Sequence, residues 1–338
     1  MRILIATGIY PPKAGGPAKY AFNLKKEFEA LGHTVFVSTY TIEERLPTGM
    51  RHVWYFFKTL PAYLTAEYVI VLDTYSVGFP IAFLKMMFGG TVVLRTGGDF
   101  LWEAYIERTR HKICLSDFYN SEKKLTLKER IIFLLTKWVL HMVSIVVFSS
   151  EYQRSIWLKS YNLSIEKTSI IENQYAFPAQ VSSEVSSRTF ITICRPLVLK
   201  NIDLLQEAFI EAQKTDPGIE LEVDYNVRPE EVIERLKNSY AVIVVSVSEI
   251  SPNLVLEALS LGKPVIVTKE NGLLNRIGSA VITVNPLSRE EIKDAILSLS
   301  DSATYVHYKR AVESLTFTHL YKDIAQEFLN IYKSYKKH

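Results

Sequence analysis

Short apolar strands alternate with amphipathic helices along the whole 338-residue chain, and that order leaves few folds open to it. Two parallel strands need a crossover of a dozen or more residues, usually a helix. Repeated alternation therefore builds parallel sheets covered by helices. In the first half, strands are predicted at Arg2–Thr7, His33–Thr39, His52–Phe57, Tyr68–Asp73, Thr91–Arg95, Ser144–Ser149 and Thr168–Glu172. Between the first two, Ala18, Ala21, Phe22, Leu24, Phe28 and Leu31 recur at helical spacing, and Gly32 closes the helix they predict. The alternation restarts with strands at Thr189–Cys194, Glu220–Asp224, Ala241–Val245, Pro264–Thr268 and Ala280–Val284. Helices at Asn201–Lys214, Glu230–Lys237, Asn253–Leu261 and Arg289–Leu299 connect them, and Leu320–Tyr332 ends the series.

A chain of this length exceeds what one core usually serves, so two domains are expected. The boundaries are expected at 1–177 for a first α/β domain, 178–188 for a polar Ser-rich linker, 189–319 for a second α/β domain and 320–338 for a C-terminal helix packing back towards the first. Cys114 and Cys194 lie far apart and in no metal-type spacing, which excludes a disulfide framework and fits a reducing, cytoplasmic setting. The opening apolar run stops at Pro11 and Pro12, too short for a signal-peptide core. Lys137 and His141 interrupt the apolar stretch Ile131–Phe148, so no transmembrane segment is expected. Residues 1–180 carry 21 Lys and Arg against 15 Asp and Glu, a balance of +6, while the remainder balances at −3. The basic half points to an anionic partner, a membrane surface or a phosphorylated substrate; scattered surface charge explains the same count.

Three constellations could carry chemistry. Gly15 and Gly16 sit in the loop leaving the first strand and opening the first helix, where ligands of open α/β sheets bind; an ordinary turn is the competing explanation. The dinucleotide fingerprint G-x-G-x-x-G occurs nowhere, which counts against a nicotinamide-dependent oxidoreductase. Arg195 and Lys200 follow a predicted strand end and suit a diphosphate, although such a pair also occurs in solvated loops. The richest segment runs from Ser248 to Ala258. There Pro252 and Asn253 open a helix whose free N–H groups suit an anion, and Glu249 and Glu257 stand too far apart for a carboxylate pair.

Glu249 to Glu257, with Ser251-Pro252-Asn253 and Leu256-Glu257-Ala258 inside it, resembles the E-x7-E motif of retaining family 4 glycosyltransferases. Gly262-Lys263-Pro264-Val265, the Arg195…Lys200 spacing, Gly15-Gly16-Pro17, Gly32-His33-Thr34-Val35 and Asn173 match that family in order along nearly the whole chain. The resemblance implies an α/β protein of two Rossmann-like domains facing a cleft, the GT-B architecture. It implies transfer of a sugar, with retention, from a nucleotide-diphosphate-sugar to a saccharide or lipid-linked acceptor. Arg195, Lys200 and the N–H groups near Ser251, Pro252, Asn253 and Leu254 would hold the diphosphate; Glu257 would meet the ribose and Glu249 the transferred sugar. No metal, cofactor or nucleic acid is expected. The chain departs from the pattern at Tyr225-Asn226-Val227-Arg228, where a glycine turn is usual, and at Gly97-Gly98-Asp99, where many members carry a His. Asp99 would replace that His as a sugar or acceptor contact, or the segment is a structural turn.

The helix around Leu125–Val143 sets Lys123, Lys124, Lys128, Arg130 and Lys137 beside Ile131, Phe133, Leu134 and Trp138. An anionic bilayer and the first domain's own sheet both account for that pattern. A nucleotide-sugar epimerase and a catalytically silent nucleotide-sugar-binding protein are the rival functions.

Overall fold

The computed structural model describes residues 1–13, 15–177, 187–225 and 227–337, so most of the linker expected at 178–188 lies outside the described residues. The chain forms two compact units. One comprises Met1–Leu101, Lys124–Gln174 and His319–His338; the other comprises Trp102–Lys123 and Tyr175–Thr318. Residues 102–123 thus belong with the second unit although they precede most of the first domain's last strands.

In the first unit β1 (Arg2–Thr7), β2 (Thr34–Thr39), β3 (Tyr68–Val71), β4 (Thr91–Thr96), β5 (Ile145–Phe148) and β6 (Thr168–Ile170) form one parallel sheet in the order β2-β1-β3-β4-β5-β6. Ile3, Leu4, Ile5 and Ala6 are all fully buried, as are Ile70 and Val71. Strands covered on both faces read as continuous apolar runs rather than alternating ones. Helix α1 (Gly16–Ala30) packs with the C-terminal helix Tyr321–Lys337 over Ile3, Ile5 and Tyr68. Tyr68 Oη donates to the Phe328 carbonyl at 3.0 Å. The crossovers from β2 to β3 and from β3 onward run the other way across the sheet, so right-handedness puts their helices on the opposite face. These are α2 (Thr48–Thr65), α3 (Gly78–Phe88), α5 (Leu127–Met142) and α6 (Glu151–Tyr161), whereas α4 (Phe100–Thr109), between α3 and α5 in the chain, goes mostly with the second unit. The α3 helix packs against both α2 and α5.

The strand expected at His52–Phe57 is instead part of α2. Its aromatic and β-branched residues favour a strand locally, but His52, Tyr55, Thr59 and Tyr63 are buried at intervals of three and four. Tyr55 Oη donates to the Ser38 carbonyl at 2.9 Å and Ser38 Oγ meets Thr59 Oγ1 at 2.6 Å. Packing on β2 overrides the local preference. The expected helix near Leu125–Val143 is α5, started by a capping box in which Thr126 and Glu129 satisfy each other's backbone N–H.

In the second unit β7 (Arg188–Cys194), β8 (Ile219–Tyr225), β9 (Ala241–Val244), β10 (Val265–Thr268) and β11 (Ile282–Val284) form a parallel sheet in the order β11-β10-β9-β7-β8. Helices α7 (Ile202–Thr215), α8 (Pro229–Asn238), α9 (Asn253–Ser260), α10 (Arg289–Ser300) and α11 (Ser302–Glu313) cover it. Phe190, Leu205, Phe209 and Ile296 form one core, and Ile191, Val255, Leu259 and Val267 form another on the opposite face. No described helix is long and apolar enough to cross a membrane.

Candidate active site

The second unit carries a cavity of about 210 Å³ where β7 and β9 end and α9 begins. Thr192 to Cys194 and Val244 to Ser246 supply its sheet side, and Ser251 to Leu254 supply the helix side. Lys200 and Glu249 complete the wall. This is the carboxyl edge of a parallel sheet, where strand ends and helix N-termini face the same space.

Backbone bonds hold these pieces in place. After β7 the chain makes a tight turn and reaches Asn201, which adopts the left-handed conformation (φ 61°) at the start of α7. Asn tolerates that conformation better than most residues. Its buried amide donates to the Val245 carbonyl at 3.1 Å and the Pro286 carbonyl at 2.6 Å. Val247 N–H donates to the Leu199 carbonyl at 2.9 Å, so the segments that follow β7 and β9 are stitched together. Glu249 pairs like a strand residue with Asn271: its N–H donates to the Glu270 carbonyl at 2.8 Å, and Gly272 N–H donates to its own carbonyl at 3.0 Å. With its backbone fixed, Glu249 places Oε1 2.5 Å from Lys200 Nζ. Both side chains are mostly buried, at 13% and 21% exposure.

Pro252 forms the N-cap of α9, and no acidic residue occupies the first turn. The turn's N–H groups therefore keep their partial positive charge. Ser251 Oγ is buried without a hydrogen-bond partner, a group in want of one. Burial pushes the Cys194 thiol up, opposed by Lys200 and reinforced by Glu249. The thiol is thus protonated near neutral pH and unsuited to nucleophilic work.

Of the residues singled out in the sequence, Lys200, Glu249, Ser251, Pro252, Asn253 and Leu254 share this cavity. Arg195 is exposed and outside the cavity wall. Glu257 is half-buried one turn after Asn253 on the same side of α9. Gly15 and Gly16 belong to the first unit, at the start of α1. Gly15 has φ 144°, and a Cβ there would meet Ile9 Cδ1 at 3.1 Å. Asp99 is 1% exposed, and its Oδ2 accepts the Trp157 indole N–H at 2.9 Å. The neighbouring Gly98 carbonyl takes Thr96 Oγ1 at 3.0 Å and Gln153 Nε2 at 2.9 Å. That segment is a closely held turn before α4, and Asp99 is part of what holds it. Asn226 lies outside the described residues; β8 ends at Tyr225 just before it. Sequence reasoning read Asn201 only as a helix start and Cys194 only as a strand end and unpaired cysteine, and it missed the Asn271 bridge. An Asn directly before a helical pattern was the available signal for the first.

Residues 206–313 match the family model of glycosyl transferases group 1. No curated protein matches the chain at the sequence level. Among solved structures, sucrose-phosphate synthase from Thermosynechococcus elongatus is similar over 99% of both chains at TM-score 0.73 and 12% identity. Anabaena HepE in complex with UDP-glucose is similar over 99% of this chain and 100% of its own, at TM-score 0.67 and 15% identity. WaaG, a glycosyltransferase involved in lipopolysaccharide biosynthesis, is similar over 97% and 99%, at TM-score 0.65 and 14% identity. The fold is that of the GT-B glycosyltransferases. Residues 206–313 of the second unit are thus similar to the glycosyl transferases group 1, and the chain as a whole has the fold these solved structures share.

Proposed function

We propose that the chain transfers a sugar, with retention, from a nucleotide-diphosphate-sugar to a saccharide or lipid-linked saccharide. The observation that carries this reading is the cavity in which Lys200, Glu249 and the first turn of α9 meet. Its volume is below the ~300–1,000 Å³ of a whole small-molecule site, which suits the diphosphate and part of the sugar rather than the entire donor. HepE, of the same fold, was solved with UDP-glucose.

The diphosphate would lie on the N–H groups of Asn253, Leu254 and Val255, with Ser251 Oγ donating to it. Lys200 would leave Glu249 for the phosphate, and the exposed Arg195 would fold over the outer oxygens. Released from Lys200, Glu249 would accept hydrogen bonds from the sugar, and Glu257 would take the ribose hydroxyls. Cleavage leaves an oxocarbenium-like sugar and a diphosphate anion. Lys200, Arg195 and the helix N-terminus stabilise the charge that develops on the anion. The departing phosphate oxygen takes the acceptor's proton on the same face, so the configuration is retained without a protein base. Asp99, held by Trp157, serves the turn before α4 in this scheme rather than the sugar.

A calorimetric titration with UDP-, ADP- and GDP-sugars, followed by NMR of the product's anomeric carbon, tests the proposal. One donor should bind and its anomeric configuration should persist in the product. Indifference to every nucleotide-sugar, an inverted anomer, or epimerised donor in the absence of acceptor each defeats it.

A further inference from the structure

We propose that the outer face of α2 and α3 on the first unit docks onto an anionic lipid bilayer. The proposal stands apart from the glycosyl-transfer reading, because the binding it describes needs neither donor nor acceptor.

A surface helix normally sets polar residues opposite its buried stripe. In α2 the buried stripe is His52, Tyr55, Thr59 and Tyr63. The opposite side carries Met50, Val53, Trp54, Phe57, Pro61 and Leu64, all exposed, at steps of three, one, three, four and three residues. This puts them on one line along the helix. Phe57 is 65% exposed and Leu64 57%. The neighbouring α3 adds Phe83, Met86, Met87 and Phe88, exposed as well. Phe56 joins the two helices, its ring 5.2 Å from Phe57 and 5.9 Å from Phe83. Phe83 in turn meets Trp138 of α5 at 6.5 Å, and α5 exposes Leu127, Ile131 and Leu134. Isolated apolar residues on a surface need no explanation, but an adjoining set across three packed helices marks a place of contact.

Charge selects the occupant. Helices α2 and α3 contain no Asp or Glu, and the lone Glu129 of α5 is buried in its capping box. The same helices carry Arg51, Lys58, Lys85, Lys128, Arg130 and Lys137, of which Lys58 is paired with Glu43 at 2.8 Å and Lys85 donates to Ser144, leaving the exposed Lys128 and Arg130 as the main positive charges beside the face. A second copy of the chain would bring these cations against one another, whereas anionic headgroups complement them. Trp and Phe suit the boundary between headgroups and acyl chains. Of the basic residues noted around this helix in the sequence, Lys123 goes with the second unit, as do the nearby Arg108, Arg110 and Lys112, the last paired with Asp203 at 2.5 Å. The apolar face of α2 and α3 is the anchor, and Lys128 and Arg130 of α5 are exposed beside it.

The test uses the full chain with vesicles of phosphatidylcholine, with and without phosphatidylglycerol. Trp102 and Trp157 are buried and Trp138 half-buried, so Trp54 is the reporter. On anionic vesicles at low salt the chain should sediment. Its emission should shift to the blue and be quenched by brominated lipid, and Trp54→Phe should lose that quenching. Phe57→Ser combined with Met87→Ser should lower partitioning by roughly tenfold or more, with an unchanged thermal midpoint. If that variant misfolds, quenching of Trp54 in the natural chain decides alone. The proposal is overturned if the natural chain ignores anionic vesicles at low salt, if Trp54 is not quenched, or if the folded double variant binds equally well. It is also overturned if the chain is a dimer that the double variant splits, since a second copy then covers the face.

Discussion

Lys200 Nζ lies 2.5 Å from Glu249 Oε1, so the cation and the carboxylate of the cavity wall neutralise each other. A phosphate entering the cavity competes with Glu249 for Lys200. Glu249→Gln removes the competitor: nucleoside diphosphate should bind as tightly or more tightly, while turnover falls. Lys200→Ala should weaken diphosphate binding and lower stability by about 1–3 kcal/mol, because it leaves a mostly buried carboxylate without its partner. Titration calorimetry and urea unfolding read the two effects separately, and weaker diphosphate binding by Glu249→Gln would contradict the competition.

Glu257→Ala should weaken nucleotide-sugar binding by about 1.5–3 kcal/mol while the fold persists, the usual loss for a hydrogen bond to a charged group. Removing the ribose from the ligand should erase the difference between variant and natural chain. An unchanged affinity for the complete donor would take Glu257 out of the site.

Turnover should survive EDTA, because Lys200, Arg195 and the α9 N-terminus supply the positive charge in the proposed scheme. Among the described residues no three His, Cys, Asp or Glu side chains gather to hold a metal ion. Activity that vanishes with chelator and returns with Mg²⁺ or Mn²⁺ would assign that role to a cation.

Gly15→Ala should destabilise the first unit by about 1–3 kcal/mol, since φ 144° is strained for an L side chain and the new Cβ crowds Ile9 at 3.1 Å. Denaturant unfolding measures the loss. Gly32→Ala makes a useful control for crowding, because nothing lies within 4 Å of the Cβ built there, although its φ is also positive.

Lys263 offers a pH dependence. It is 1% exposed and donates to the carbonyls of Lys237 at 2.8 Å and Ser239 at 2.7 Å. Burial, with Lys309 adding, lowers its pKa from 10.5 to about 8. Between those values the unfolded chain binds more protons at this site than the folded one, so its contribution to stability rises with pH. The stability of the natural chain relative to Lys263→Met should therefore shift in favour of the natural chain as pH climbs through that window. A difference that stays flat would mean that the amine titrates normally.

Much of the fold was legible because parallel strands buried on both faces leave unbroken apolar runs such as Ile3–Ala6 and Val242–Val244. The segment from Glu249 to Glu257 was legible because its Pro, Asn and carboxylates mark a helix start beside a strand end. The α2 helix was not, and its outward line of Trp54, Phe57 and Leu64 is the reason. The segment His52–Phe57 is rich in aromatic and β-branched residues, and the most apolar face of the helix turns outward while its buried stripe includes His52 and Thr59, so strand propensity outweighed the helical pattern. The burial of Asp99 was hidden too, because its partner Trp157 stands 58 positions away. The same holds for Asn201, whose acceptors Val245 and Pro286 come from remote segments. Motifs record local chemistry, whereas these roles are set by what the fold brings beside them.

The last helix, Tyr321–Lys337, buries Ile324, Ala325, Phe328 and Leu329 against the first sheet's own Ile3, Ile5 and Tyr68. A ribosome delivers the first sheet's set before, and the helix's set after, every strand of the second unit. The second sheet's strands have therefore all emerged before the cover for the first sheet arrives, and the unit whose strands come earlier is the later one to be sealed. Until then the part of that sheet face which α1 leaves uncovered stays open and sticky, and loss of this helix would make the exposure permanent.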